Sequence, residues 1–78
     1  MLIKVKDKTI EVDPLWTGTS VGYQMGYLSA AQKHELGLLR TGVYAIRIDG
    51  SRASLCKVIN GYTSEQAPAE IVTITPNN

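Results

Sequence analysis

The sequence predicts an α+β domain, in which one helix at about residues 29–39 packs on a curled antiparallel sheet of about five strands. A small β-barrel with a helical insertion is the near variant of this fold. Three observations lead to it. Residues 41–60 have the pattern of a β-hairpin, residues 2–12 have the pattern of a shorter one, and a helix-capping pair begins at Ser29.

Length and charge restrict the class of protein. The chain has 78 residues, of which 44% are hydrophobic, and we interpret residues 1–78 as one small folded domain. A core of this size supplies only roughly 3–5 kcal/mol, so a protein partner or a homo-oligomer is expected. Eight Lys and Arg against seven Asp and Glu give a net charge of +1, without the large excess of either sign typical of nucleic-acid binders or their mimics.

The chain shows no pattern typical of secretion or membrane insertion. Cys56 is the single cysteine, so no intramolecular disulfide and no cysteine-based zinc cluster is expected. The first three apolar residues run straight into Lys4 and Lys6, unlike a signal peptide. No apolar run approaches the ~20 residues of a membrane span. We therefore expect a cytoplasmic protein that does not associate with membranes.

Residues 2–12 alternate apolar and polar side chains, which predicts two strands that bury one face. Asp7-Lys8 is the predicted tight turn between them. Asp13-Pro14 is expected to end the second strand, because proline has no N–H for the ladder. The predicted core residues of this hairpin are Ile3, Val5, Ile10 and Val12.

Residues 15–28, LWTGTSVGYQMGYL, fit either a strand or a helix. Gly22 and Gly26 each cost about 1 kcal/mol inside a helix, and valine and tyrosine are mediocre helix formers. Propensity therefore favours a strand, although a helix stays open if its glycines allow close packing. The strand would carry one bulky face, made of Val21, Tyr23, Met25 and Tyr27.

The best predicted helix begins at Ser29. Serine is a good N-cap, and Gln32 stands three residues on, at the capping-box position. The residues that follow are mostly strong helix formers. Either Gly37 or Gly42 is expected to end the helix in the left-handed conformation that glycine tolerates.

The central hairpin is predicted from alternation on both sides of Asp49-Gly50. A two-residue loop would place Arg47 opposite Arg52, and facing like charges destabilise a strand pair. We therefore prefer a four-residue loop, Asp49 to Arg52. A three-residue loop ranks third, because it would exchange the faces of the partner strand. The two favoured registers leave the same side chains on the buried face: Tyr44, Ile46, Ile48, Ala53 and Leu55.

The C-terminal third is predicted as a loop followed by a strand. Asn60-Gly61, Ser64 and Pro68 are breakers, so Gly61 to Glu70 is interpreted as a loop. Ile71 to Thr75 is the predicted last strand, ended by Pro76.

The residues needed for catalysis or metal binding are sparse. His34 is the only histidine and Cys56 is the only cysteine, so the chain has too few of these ligands to build a metal site from them. The GxxxxGK[ST] and GxGxxG phosphate-binding patterns are both missing. No carboxylate pair is spaced for acid–base work. The sequence therefore favours a non-enzymatic protein without catalytic residues, cofactor or metal.

Amphipathic and cationic side chains are the candidates for binding. Tryptophan, tyrosine and arginine dominate protein interfaces, because they bury a large area and keep a polar edge. Arg47 and Arg52 are expected to share a face near the tip of the central hairpin, where they suit a carboxylate or phosphate. The predicted binding residues are Trp16, Tyr23, Tyr27, Arg47 and Arg52.

Three functions are compatible with these residues. The first is a small inhibitor or adaptor that docks on a larger protein assembly, and analogy of size extends this to phage or mobile-element products that act on host systems. The alternative is a nucleic-acid-binding module that uses Arg47, Arg52, Lys57 and tyrosines. The third is a small-ligand binder, for a nucleotide, with a pocket walled by Trp16, Tyr23 and Tyr27.

Overall fold

The computed structural model describes residues 1–13, 15–16 and 22–72, and the side chains of Leu15 and Trp16 lie outside that description. Within these described ranges, seven strands form one antiparallel sheet in the order β2-β1-β7-β6-β5-β4-β3. The elements in chain order are β1 Leu2–Val5, β2 Lys8–Glu11, β3 Leu15–Trp16, β4 Gln24–Tyr27, α1 Ala30–Glu35, β5 Tyr44–Asp49, β6 Arg52–Ile59 and β7 Tyr62–Val72.

The α+β class and the antiparallel sheet are confirmed. The number of strands and the length of the helix differ from the prediction. The prediction had about five strands, whereas the described part of the chain has seven, one of them only two residues long. The helix is one short element of six residues. Among the described residues, no helix has the length and apolar character needed to cross a membrane.

The sheet curls into a half-barrel, and the connection between β2 and β3 explains why. These two strands lie at opposite ends of the sheet, yet only three residues separate Glu11 from Leu15. A chain of that length spans at most ~14 Å, so the two edges must approach each other. In β4, a Cβ added to Gly26 would lie 3.1 Å from the Cβ of Val12, which shows how closely the chain after β2 crosses over β4.

The central hairpin has the preferred register. Ile46 faces Leu55 and Ile48 faces Ala53. The ladder continues one pair further than predicted, to Asp49 and Arg52, so the loop contains only Gly50-Ser51. Gly50 has a φ of +64°, which glycine adopts without strain.

The hydrophobic core lies on one face of the sheet. Its largest fully buried side chains are Ile3, Val5, Val12, Ile46 and Leu55, and Cys56 is equally buried but does not belong to the core cluster. Every core residue predicted for the two hairpins is buried. The core cluster consists of Ile3, Val5, Ile10, Val12, Leu28, Leu36, Tyr44, Ile46, Ile48, Ala53 and Leu55.

The first hairpin forms with a turn one residue earlier than predicted. Val5 pairs with Lys8, so the loop is Lys6-Asp7 and not Asp7-Lys8. Lys6 adopts a φ of +53°. The pairing changes by two residues, which keeps each side chain on its predicted face.

The predicted loop at Gly61 to Glu70 is wrong, because Tyr62–Val72 is the longest strand of the sheet. Asn60 and Gly61 have φ values of +51° and +80°. Positive φ at both central residues is the type I′ turn, whose twist matches a hairpin and which Asn-Gly favours. The dipeptide interpreted as a breaker is therefore the turn of a second long hairpin.

Two irregularities of β7 are accommodated without ending it. Leu55 faces Ala67 while Cys56 faces Glu65, so Gln66 is the extra residue of a β-bulge. Pro68 lies opposite Ser54 in β6. On its other side β1 ends at Val5, which faces Ala69, so Pro68 lies beyond that ladder. Of the predicted last strand, Ile71 and Val72 belong to β7 and residues 73–75 lie outside the described residues.

The strand interpretation of residues 15–28 is confirmed in part, because the described residues of this range form two short paired strands and not one. Leu15–Trp16 and Gln24–Tyr27 are both strands, and residues 17–21 lie outside the described residues. In β4, Gln24 faces Ile48 and Gly26 faces Ile46 on the core side. Met25 and Tyr27 therefore point to the opposite side of the sheet.

The helix begins as predicted and ends earlier. The side chain of Ser29 accepts from the Gln32 N–H and the Gln32 side chain accepts from the Ser29 N–H, which is a complete capping box. The predicted end at about residue 39 is wrong, because Gly37 adopts a φ of +71° after Glu35. The N–H groups of Gly37 and Leu38 donate to the carbonyls of His34 and Lys33, as in a Schellman motif.

Packing of the helix depends on the residues beside it. No residue within α1 is buried, whereas Leu28 before it and Leu36 after it are 8% and 6% exposed. The side-chain amide of Gln32 also donates to the Glu11 carbonyl. This hydrogen bond ties the start of the helix to the edge strand β2.

Replacement of Gln32 by alanine is expected to lower the free energy of unfolding by about 1–2 kcal/mol, because the capping box and the hydrogen bond to β2 are lost together. Urea denaturation followed by circular dichroism measures this change. His34→Ala, at an exposed position of the same helix, is the control and should change stability by less than about 0.5 kcal/mol. Equal stability of the two variants would show that the link between helix and β2 contributes nothing.

Candidate functional site

The candidate site lies on the face of the sheet opposite the core, called here the second face. Along β5, Ala45, Arg47 and Asp49 alternate with the core residues and therefore point to this face. Their partners in β6 are Cys56, Ser54 and Arg52 in the same order, so these share the face. As predicted, Arg47 and Arg52 lie on one face near the tip of the central hairpin.

The guanidinium of Arg47 is held from both sides. Its carbon lies 4.2 Å from the centre of the Tyr23 ring, in a cation–π contact. One terminal nitrogen donates to Thr63 Oγ1 at 3.3 Å, and the other lies 3.9 Å from the Asp49 carboxylate. These contacts join β5 to β7 and to the residue before β4. Arg47 therefore has a preferred orientation before any partner binds.

Small side chains in β6 allow Arg47 to reach β7. Ser54 faces Arg47 directly, and Ser54 and Cys56 are only 8% and 2% exposed. Their side-chain oxygen and sulfur lie 3.5 Å apart. Larger residues at these two positions would fill the space that the arginine crosses.

A shallow groove of about 280 Å³ results on the second face. Two guanidinium groups and two carboxylates line it, over a floor of small polar side chains. The lining residues are Arg47, Asp49, Arg52, Ser54, Cys56, Thr63 and Glu65.

The Arg52 side chain is more exposed and less restrained by contacts than that of Arg47. Its side chain is 81% exposed, and its nearest carboxylate oxygen, on Glu65, lies 4.0 Å away. Exposed ion pairs of this kind contribute only about 0–1 kcal/mol. Arg52 is therefore available to a partner at little cost to the fold.

The aromatic candidates have different surroundings. Tyr27 faces Ala45 in β5 and is 54% exposed, whereas Tyr23 is half-buried. Trp16 pairs with Gln24 through its backbone, and its side chain lies outside the described residues. Four of the five predicted binding residues thus lie on the second face: Tyr23, Tyr27, Arg47 and Arg52.

The structure separates Lys57 from the two arginines. Lys57 faces Tyr44 on the core side of the sheet, with its Nζ 6.0 Å from the centre of the Tyr44 ring. Successive strand residues point to opposite faces, so Lys57 is directed away from Arg47 and Arg52. The basic surface of all three residues, which the nucleic-acid alternative required, does not form.

The pocket expected between aromatic residues also differs from the groove that is found. Neither Tyr23 nor Tyr27 lines the groove, and the ring of Tyr23 lies against Arg47. Among the described residues, no group of three or more His, Cys, Asp and Glu side chains is placed to hold a metal ion.

Two residues of the second face were missed from the sequence. Thr63 and Glu65 were assigned to a loop, whereas they pair with Val58 and Cys56 in β6. The Asn60-Gly61 dipeptide could have identified both, since it predicts a hairpin and therefore a strand beside β6.

Comparisons with protein-family models, with curated proteins and with solved structures find no match for this chain.

Proposed function

We infer that this protein is a non-enzymatic binding protein, an inhibitor or adaptor that docks on a larger protein assembly. Docking uses the second face, with Tyr27 and the Tyr23–Arg47 pair at its centre. The observation that supports this most is the stacking of Tyr23 on Arg47 at 4.2 Å. An anchor that is already ordered loses less side-chain entropy when a partner binds.

Composition of the face is also that of a protein interface. Tyrosine and arginine are the residues that most often dominate binding energy. The ring of Tyr27 is 54% exposed, and the guanidinium of Arg47 lies on the same face of the sheet. A protein surface with mixed apolar and polar groups complements this arrangement.

Charge favours a protein over a nucleic acid as the partner. The groove combines two arginines with Asp49 and Glu65, and the carboxylates repel a phosphate backbone. Nucleic-acid affinity also rests on neutralising several phosphates at once. With Lys57 on the other side of the sheet, the groove has two arginines against two carboxylates, so it has no net positive charge with which to do so.

Tyr27→Ala is expected to weaken binding of the protein partner by at least about 1 kcal/mol, or roughly fivefold, while the fold stays intact. The partner is first captured from cell lysate on the immobilised protein and identified by mass spectrometry. Its affinity for the parent and for the variant is then compared by titration calorimetry.

Tyr62→Ala is the matched control, because it removes the same side chain from an exposed position. Tyr62 faces Ile59 at the far end of the β6–β7 hairpin, on the core side of the sheet. This control should bind like the parent. Recovery of nucleic acid with affinity that falls steeply with salt would overturn the proposal, as would equal affinity of Tyr27→Ala and the parent.

A further inference from the structure

The two ion pairs in the groove of the second face have long distances between their charged atoms. Arg47 lies 3.9 Å from Asp49, and Arg52 lies 4.0 Å from Glu65. Charge-assisted hydrogen bonds between such groups are normally about 2.7–2.9 Å long. The guanidinium and carboxylate of each pair are therefore close to each other but form no short hydrogen bond. Each group can still accept a better partner.

The signs of these charges define what fits the groove. An anion that approaches Arg47 and Arg52 is repelled by Asp49 and Glu65. A cation that approaches the two carboxylates is repelled by the two arginines. The complement must therefore carry both signs at the same spacing. The groove itself has this property, because a two-fold axis through it would place Arg52 of each copy against Glu65 of the other.

The size of the molecule is sufficient for such a contact. The protein measures 45 × 32 × 17 Å, so its broad face exceeds the ~800 Å² per partner that a standard interface buries. A chain this short also buries a smaller fraction of its surface than larger domains do, which makes association favourable.

From this we propose that the groove of the second face pairs with the same groove of a second copy of this chain, in a two-fold dimer joined by reciprocal Arg52–Glu65 contacts. This contact shares Arg47 with the docking surface proposed above, but its reciprocal ion pairs lie away from Tyr27. Tyr27 faces Ala45, four residues along β5 from Asp49, and four strand residues span about 13 Å.

Charge reversal tests this pairing. The parent should dimerise in sedimentation equilibrium at protein concentrations up to about 1 mM. Arg52→Glu and Glu65→Arg should each raise the dimer dissociation constant at least about tenfold, because both contacts become repulsive. Both side chains are largely exposed, so both variants should fold, and circular dichroism checks that they do.

Two combinations separate a two-fold contact from a general effect of charge. The double variant, Arg52→Glu with Glu65→Arg, should dimerise like the parent. An equimolar mixture of the two single variants should form a heterodimer more readily than either variant self-associates. Only reciprocal pairing of these two positions predicts both results.

Matched charge changes elsewhere serve as controls. Arg40→Glu and Glu35→Arg change the net charge equally at exposed positions and should leave dimerisation unchanged. A parent that stays monomeric overturns the proposal, and so does a double variant or a mixture that fails to restore the dimer. Loss of dimerisation leaves the docking proposal standing, because Tyr27 and captured protein are measured separately.

Discussion

Leu55→Ala is expected to lower the free energy of unfolding by roughly 2–5 kcal/mol, which approaches the whole stability of so small a domain. Leu55 is fully buried in the core and faces Ile46 across the central hairpin. Truncation removes apolar contacts and leaves a cavity that a stiff sheet closes poorly. Ile46→Ala, at the other side of the same pair, should have a similar effect.

Urea denaturation measures both variants. Ile59→Ala is the control, since Ile59 belongs to the same strand but is 50% exposed, and it should cost about 1 kcal/mol or less. Melting of Leu55→Ala and Ile46→Ala within a degree of the parent would mean that the buried and open faces of the sheet have been exchanged.

Gly26→Val is expected to destabilise the fold by about 1–3 kcal/mol through overpacking. A Cβ at this position would meet Val12 Cβ at 3.1 Å and the backbone of Asp13 at 3.5 Å. Valine adds two further methyl groups where there is room for none. The chain that leads out of β2 must then move away from β4, which opens the half-barrel.

A graded series identifies the cause. Gly26→Ala should lie between the parent and Gly26→Val in urea denaturation, because it adds one carbon instead of three. Ser64→Val, at an exposed strand position, controls for the preference of valine for strands. Stability of Gly26→Val equal to that of the parent would show that β2 and β4 do not need this close approach.

The central hairpin could be predicted because two independent physical constraints select its register. Alternation predicted the buried face, and repulsion between Arg47 and Arg52 disfavoured the register with an Asp49-Gly50 loop. The structure has Ile46 opposite Leu55, as that reasoning requires. Where pattern and charge agree within a short segment, the sequence alone is sufficient.

Strand β7 could not be recognised from its own composition. Its polar residues and Pro68 disfavour a strand locally, and pairing with both β6 and β1 stabilises it. Prediction of those pairings required the turn at Asn60-Gly61 to be recognised first. The helix was extended too far for a related reason, since either glycine could end it and Gly37 does.

The candidate site was predictable to the same extent as the strands that carry it. Arg47 and Arg52 belong to the correctly predicted hairpin, and their shared face followed from its register. Thr63 and Glu65 belong to β7, so the hydrogen bond to Arg47 and the acidic side of the groove were missed together with that strand. The stacking of Tyr23 on Arg47 joins residues far apart in the chain and left no local pattern.

Pairing of β1 with β7 has a consequence for how the chain folds during synthesis. Leu2 faces Val72, so Leu2 must wait for a partner that is synthesised 70 residues later. At roughly 5–20 residues per second, that wait lasts roughly 4–14 s. Throughout it, β1 has only β2 as a strand partner. Such distant contacts slow folding, and the half-barrel must therefore be completed late, after the meander of β5, β6 and β7 has formed.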